Sequence, residues 1–155
     1  MLLTVRVAAG LVLLLGQPIS RVASMRHDQI LIAADDIRVR ITNDPIDVPK
    51  PFATLLAQLA EHRANLQTAA HIDSPWLFPG HSPGQHITPN SIATQLRKNG
   101  APPLRGRQAA LQALARTVPA KVLSDALGVS VTTAMHHAEA AGANYARYPR
   151  TRVPR

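Results

Sequence analysis

Ala120–Ala138, AKVLSDALGVSVTTAMHHA, decides how this chain is read. Leu123, Leu127 and Val129 are the apolar positions, and Gly128 interrupts the helical pattern between them. A glycine there supplies the positive φ that ends one helix and lets another begin. Pro119 opens the first helix, which runs to Leu127, and the second spans Ser130 to Ala141, closed by Gly142. Helix, short turn, helix is the helix-turn-helix pattern. Its second helix starts with Ser130, Thr132 and Thr133, short hydroxyls able to reach phosphates or base edges. The same spacing also fits an ordinary helical hairpin inside any α-rich domain.

Outward from this segment the chain reads as short helices with one β-ribbon. Upstream, Arg107–Thr117 is helical, with Ala110, Leu111, Leu114 and Val118 on one face. Thr88 caps a helix that begins at Pro89 and stops at Asn99-Gly100. Trp76-Leu77-Phe78 is a short apolar anchor before the loop Pro79–Gly84. Pro49 and Pro51 open a helix to about Leu66, striped by Phe52, Leu55, Leu56 and Leu59, and residues 68–74 form a linker. Gln29–Ala33 and Ile37–Ile41 are strand-like runs, the second alternating Ile37, Val39 and Ile41 with Arg38 and Arg40. Ile46–Val48 is a third short strand after the turn Asn43-Asp44-Pro45.

Residues 2–15 form an apolar helix stopped by Pro18; Gln17–Arg21 reads as a turn, with Arg21–Met25 as a further one. Val7–Gly16, preceded by one arginine, also looks like a weak signal peptide. It is shorter than the ~20 residues a bilayer span needs, and no small-x-small cleavage site follows. A buried helix and a cytoplasmic protein are the expectation. The fold class is mainly α with a small β-ribbon, α+β, over residues 1–143, followed by a basic tail, 144–155.

Composition narrows function. The chain has 155 residues, 46% apolar but only 3% aromatic, so its core is aliphatic. Cysteine is absent, which excludes disulfides and thiolate metal sites. The net charge is +8, and it is lopsided. Residues 1–73 hold seven basic side chains (Arg6, Arg21, Arg26, Arg38, Arg40, Lys50, Arg63) against seven acids. From Ser74 onward there are ten basic residues and two acids, Asp125 and Glu139. Fourteen of the 17 cations are arginine, which grips phosphate through two donors at once. An Arg-rich, one-sided surface points to a polyanion, most simply nucleic acid, unless the arginines only mirror a GC-rich genome; double-stranded DNA is the expected partner. Arg97, Lys98, Arg105 and Arg107, with Ser130, Thr132 and Thr133, are the expected DNA contacts.

The histidines point elsewhere. His136 and His137 are adjacent, so on a helix they diverge by about 100° and do not chelate one metal. His81 and His86 sit in a Gly/Pro loop without a second ligand pair. Surface or packing roles are expected for all four, with no metal and no cofactor.

Read together, four segments resemble the catalytic domain of the tyrosine recombinases, the phage-integrase family. Gly16–Met25 resembles the family segment TGLR-x-x-E-x-x-x-L, followed by the ribbon. Trp76–Pro79 resembles its x-x-LFP strand. Leu104–Leu111 resembles H-x-L-R-H-T-x-A, and Ala126–Thr133 resembles LLGHSSxxTT. Val118–Gly128 is similar to a stretch of diverged actinobacterial integrase-like chains. The resemblance implies a tyrosine that attacks a phosphodiester, two arginines on the non-bridging oxygens, and a ribbon lysine and histidines that handle protons.

Carried over, the second arginine falls on Arg107. The first falls on Pro18, with Arg21 three residues on, and the nucleophile falls on His136. The family histidines fall on Leu104 and Val129, and Arg38 is the nearest cation to the ribbon lysine. Arg107, Arg21 and His136 are therefore the candidates at catalytic positions. With one position of six retained, the resemblance implies a DNA-binding protein impaired in cleavage, and a chain truncated at its N-terminus, without the family's DNA-clamping domain. It would act alone, with itself, or beside an intact recombinase, and not on a membrane. A small helix-turn-helix transcription regulator and a non-functional mobile-element remnant are the alternatives.

Overall fold

A computed structural model of the chain describes residues 1–34, 36–62 and 73–142. The architecture is mainly α, with a three-stranded antiparallel sheet that does not close into a barrel. Helix α1 spans Leu3–Leu13 and α2 spans Ile19–Ala23. The sheet follows as β1 (Ile30–Ala33), β2 (Asp36–Arg40) and β3 (Pro45–Asp47). Then come α3 (Lys50–Glu61), α4 (Pro89–Lys98), α5 (Pro103–Thr117), α6 (Ala120–Leu127) and α7 (Val131–Ala140).

Helix α1 lies at the centre because its sequence is apolar on nearly all sides, with Arg6 on the one strip that reaches solvent. Val7, Leu11 and Val12 are buried, and the helix touches α2, α3, α4 and α5. A helix apolar all round is stable only when covered on most sides. Each such side chain contributes about 1.5–3 kcal/mol when fully buried. Two glycines allow the close approach. A Cβ at Gly10 would strike the Phe52 ring of α3, and one at Gly106 of α5 would strike Leu13. Among the described residues no helix is long and apolar enough to cross a membrane.

The sheet follows the alternation in its sequence. Val39 is fully buried, while its neighbours Arg38 and Arg40 are half-buried and exposed. It pairs with Ile30 on β1 and Ile46 on β2's other side, and α3 covers β1 and β2. The third strand begins one residue earlier than expected. Pro45 sits opposite Arg40 in the outermost strand, where a missing N–H is tolerated.

The anchor Trp76-Leu77-Phe78 works as read. Leu77 and Phe78 are buried, and the Leu77 N–H donates to the Met25 carbonyl at 2.8 Å. The loop beyond it closes on itself through Gly80 N–H to Gln85 O and Ile87 N–H to Phe78 O, both 2.8 Å. Helix α4 matches its expected bounds, and the Thr88 hydroxyl accepts from the Ser91 N–H at 3.2 Å.

Three further boundaries differ. Ile19–Ala23 is a helix rather than a plain turn, because Pro18 serves as its N-cap. Helix α5 starts at Pro103, four residues before Arg107, since a proline at the first position loses no hydrogen bond. Helix α3 ends at Glu61, where His62 turns away (φ −121°, ψ 54°). The expected continuation to Leu66, most of the 68–74 linker, and the tail 144–155 lie outside the described residues.

Candidate nucleic-acid interface

Helices α6 and α7 are joined by a short turn, Gly128–Ser130, an arrangement that fits both the helix-turn-helix and the ordinary helical hairpin. Gly128 takes φ 65°, the left-handed conformation that ends α6. Leu123, Leu127, Val129 and Ala134 are buried between α6, α7 and the body of the protein. Ser130 is the N-cap of α7, and its Oγ accepts from the Thr133 N–H at 3.1 Å. The Ser130 and Thr133 hydroxyls also lie 2.7 Å apart. Two of the three expected hydroxyls therefore hold the start of α7, while Thr132 is exposed beside them. Helix α5 packs on both α6 and α7, making a three-helix unit.

The basic side chains cluster by sequence and exposure. Arg97 and Lys98 lie in the last turn of α4 and are exposed. Arg105 is exposed near the start of α5, which packs against α4. Arg116 shares its face, three turns along and about 20° around the axis, with exposed Gln108 and half-buried Gln112 between them. Among the described residues from Ser74 onward, the one ion pair is Lys121 with Asp125, 2.7 Å within α6. Arg97, Lys98, Arg105 and Arg116 thus present uncompensated charge.

The two arginines at recombinase-like positions are engaged with backbone. Arg107 is half-buried and its Nε donates to the Gly16 carbonyl at 2.9 Å. Arg21 Nη1 donates to the Leu127 carbonyl at 3.0 Å and to Gln17 Oε1 at 3.1 Å. Both arginines therefore meet the Gly16-Gln17 connection, Arg107 at its backbone and Arg21 at its side chain. His136 is exposed on α7, with its ring centroid 5.9 Å from that of His137. His137 is half-buried, and its Nδ1 is out of water without a hydrogen-bond partner. Burial, then His136, then Arg107 hold its pKa below the ordinary 6.5.

The half-buried Arg38 on β2 pairs with Asp36 at 3.0 Å, so the ribbon cation is partly neutralised by its own strand. Leu104 is exposed and Val129 is buried, each an apolar side chain without acid–base chemistry.

Sequence reasoning overlooked Gln17 and Thr42. Gln17 is buried, 3% exposed, and its Nε2 donates to the carbonyls of Leu15 (3.0 Å) and Leu127 (3.3 Å). Thr42 Oγ1 donates to the Asp125 carbonyl at 2.6 Å. Arg116 was also overlooked, although its spacing from Arg105 was a readable signal. No protein-family model matches the chain, and no curated protein matches it.

Proposed function

We propose that this protein binds duplex DNA through the α4–α5 corner and the α6–α7 helix-turn-helix, and that it is a relative of the tyrosine recombinases impaired in strand cleavage. The observation that carries the reading is the unpaired cationic run Arg97, Lys98, Arg105 and Arg116 on adjoining helices. Such a surface is repulsive to itself and is relieved by a polyanion. The recombinase relationship rests on the order of the four resembling segments along the chain. Impaired cleavage rests on the exposed imidazole of His136 where the resemblance places the nucleophile, and on Pro18 where it places the first arginine.

The test is duplex binding measured across salt. Affinity should fall steeply, each neutralised phosphate adding about 0.9 to the slope of log K against log salt. Charge reversal of Arg97, Lys98 and Arg105 together should abolish binding at moderate salt. Binding indifferent to salt, or none at low salt, overturns the reading.

The helix-turn-helix geometry also favours a second reading, a small sequence-specific regulator. A dimer with a sharp preference for one palindromic site would select it over broad binding by a monomer.

A further inference from the structure

We infer that Gln17, Arg21 and Thr42 form a socket for the C-terminal end of α6 and so fix the angle at which α7 meets DNA. The inference rests on the DNA-binding reading, and assigns Arg21 to positioning rather than to gripping phosphate. The last carbonyls of a helix lack intrahelical partners and carry partial negative charge. In α6 two of them are met by side chains from distant sequence. Leu127 O accepts from Arg21 Nη1 (3.0 Å) and from Gln17 Nε2 (3.3 Å), and Asp125 O accepts from Thr42 Oγ1 (2.6 Å).

These donors come from different parts of the fold. Gln17 lies in the α1–α2 connection, Arg21 in α2, and Thr42 just after β2. Their separations from the carbonyls are 110, 106 and 83 positions. Three donors from three segments define an orientation, where one would leave a hinge. The guanidinium is the charged member, and it complements the α6 dipole. Gly128 sits against it, since a Cβ there would lie 3.0 Å from Arg21 Nη1. The turn between α6 and α7 is therefore seated on the central body rather than floating on its own packing.

The Arg21 guanidinium, aimed at Leu127 O and Gln17, has its Nη1 directions occupied within the protein. Only a phosphate contact through Nη1 would compete with that cap; Nε and Nη2 of this exposed side chain stay open, so the salt slope of Arg21→Gln separates positioning from phosphate binding.

The test uses the full chain and three variants, Thr42→Val, Thr42→Ser and Arg21→Gln. Thr42→Val keeps shape and charge but deletes the Asp125 bond, and should weaken duplex binding about three- to tenfold, the worth of one hydrogen bond. The salt slope should not move, and Thr42→Ser should restore affinity. Arg21→Gln should also weaken binding at unchanged slope. A slope reduced by about 0.9 with Arg21→Gln, or wild-type affinity in Thr42→Val, overturns the inference.

Hydrogen exchange at the bonded backbone amides of Gly128, Thr133 and Ala134 decides the socket independently of DNA. Exchange there should accelerate in Thr42→Val while the amides of α1 stay protected. Unchanged exchange removes the socket. If the wild-type protein binds no duplex while exchange responds as expected, the socket stands and the DNA reading falls.

Discussion

Arg107 Nε donates to the Gly16 carbonyl at 2.9 Å, joining α5 to the connection that follows the central helix. The residue thus stabilises the fold while lying beside the histidine pair of α7, close enough to lower the pKa of His137. Arg107→Ala leaves the Gly16 carbonyl without this donor. A hydrogen bond from a charged group contributes about 1.5–3 kcal/mol, so the urea midpoint should fall by a corresponding amount. Arg107→Lys should recover little, because a point ammonium does not reproduce the angle of a guanidinium Nε. Full stability in Arg107→Ala would show that this bond contributes nothing.

Gly128→Ala should be among the more damaging single changes. The position has φ 65°, which costs a side-chain-bearing residue about 1–2 kcal/mol. The added methyl would also lie 3.0 Å from Arg21 Nη1, so the guanidinium must give by a few tenths of an ångström, which lengthens its bond to the Leu127 carbonyl. The expected loss, read by chemical denaturation, exceeds the backbone cost alone. In the background of Arg21→Gln the same substitution should cost less, since the crowding is gone. Equal costs in both backgrounds would mean that the methyl and the guanidinium do not interact.

His137 should make stability depend on pH. Its Nδ1 is out of water and unpartnered, and burial, His136 and Arg107 in that order lower its pKa from 6.5. An unfolded chain takes up a proton near 6.5, while the folded chain resists it to a lower pH. The contribution is therefore complete above 6.5 and is lost as pH falls through the folded value. His137→Gln should flatten that part of the curve between neutral and mildly acidic pH. An unchanged pH profile in this variant would place the dependence elsewhere.

No covalent adduct is expected on a nicked duplex that traps cleavage intermediates. Under the proposed recombinase relationship the nucleophile position falls on His136, which is exposed and carries an imidazole in place of a phenol. Arg21 is turned toward Leu127, and loss of one donor to a developing oxyanion typically costs about 10²–10³ in rate. A stable adduct, read as a gel shift resistant to denaturant, would contradict this. Mapping it to Tyr145 or Tyr148 would assign the nucleophile to the tail.

The sequence signals that worked were local ones. Thr88-Pro89 and Asn99-Gly100 marked both ends of α4, since a capping hydroxyl, an N-terminal proline and a positive-φ glycine each act within one turn. Ile37, Val39 and Ile41 announced a strand by alternation, and its buried member was Val39. The start of α5 was missed: the helix begins at Pro103 rather than Arg107, because a proline at the first position loses no hydrogen bond. The role of Arg21 was illegible for a different reason. Its partner is a backbone carbonyl 106 positions away, and a carbonyl leaves no mark on residue identity. The same holds for Thr42, whose partner is the carbonyl of Asp125 rather than its carboxylate.

Ser130 offers the sharpest separation of folding from recognition. Its Oγ caps α7 by accepting from the Thr133 N–H, and it was also expected to face DNA. Deleting the hydroxyl confounds the two, because Ser130→Ala loses the cap, typically about 1 kcal/mol, together with any phosphate contact. Aspartate is as good a cap as serine and adds a negative charge that suits a helix N-terminus. Ser130→Asp should therefore keep the denaturation midpoint at or slightly above that of the wild type. If α7 lies against the duplex, the same carboxylate faces phosphates and should cut affinity by tenfold or more, most strongly at low salt where screening is weak. Stability retained with affinity lost assigns the start of α7 to the DNA surface. Stability retained with affinity unchanged assigns Ser130 to capping alone and moves the contact surface back to the α4–α5 corner.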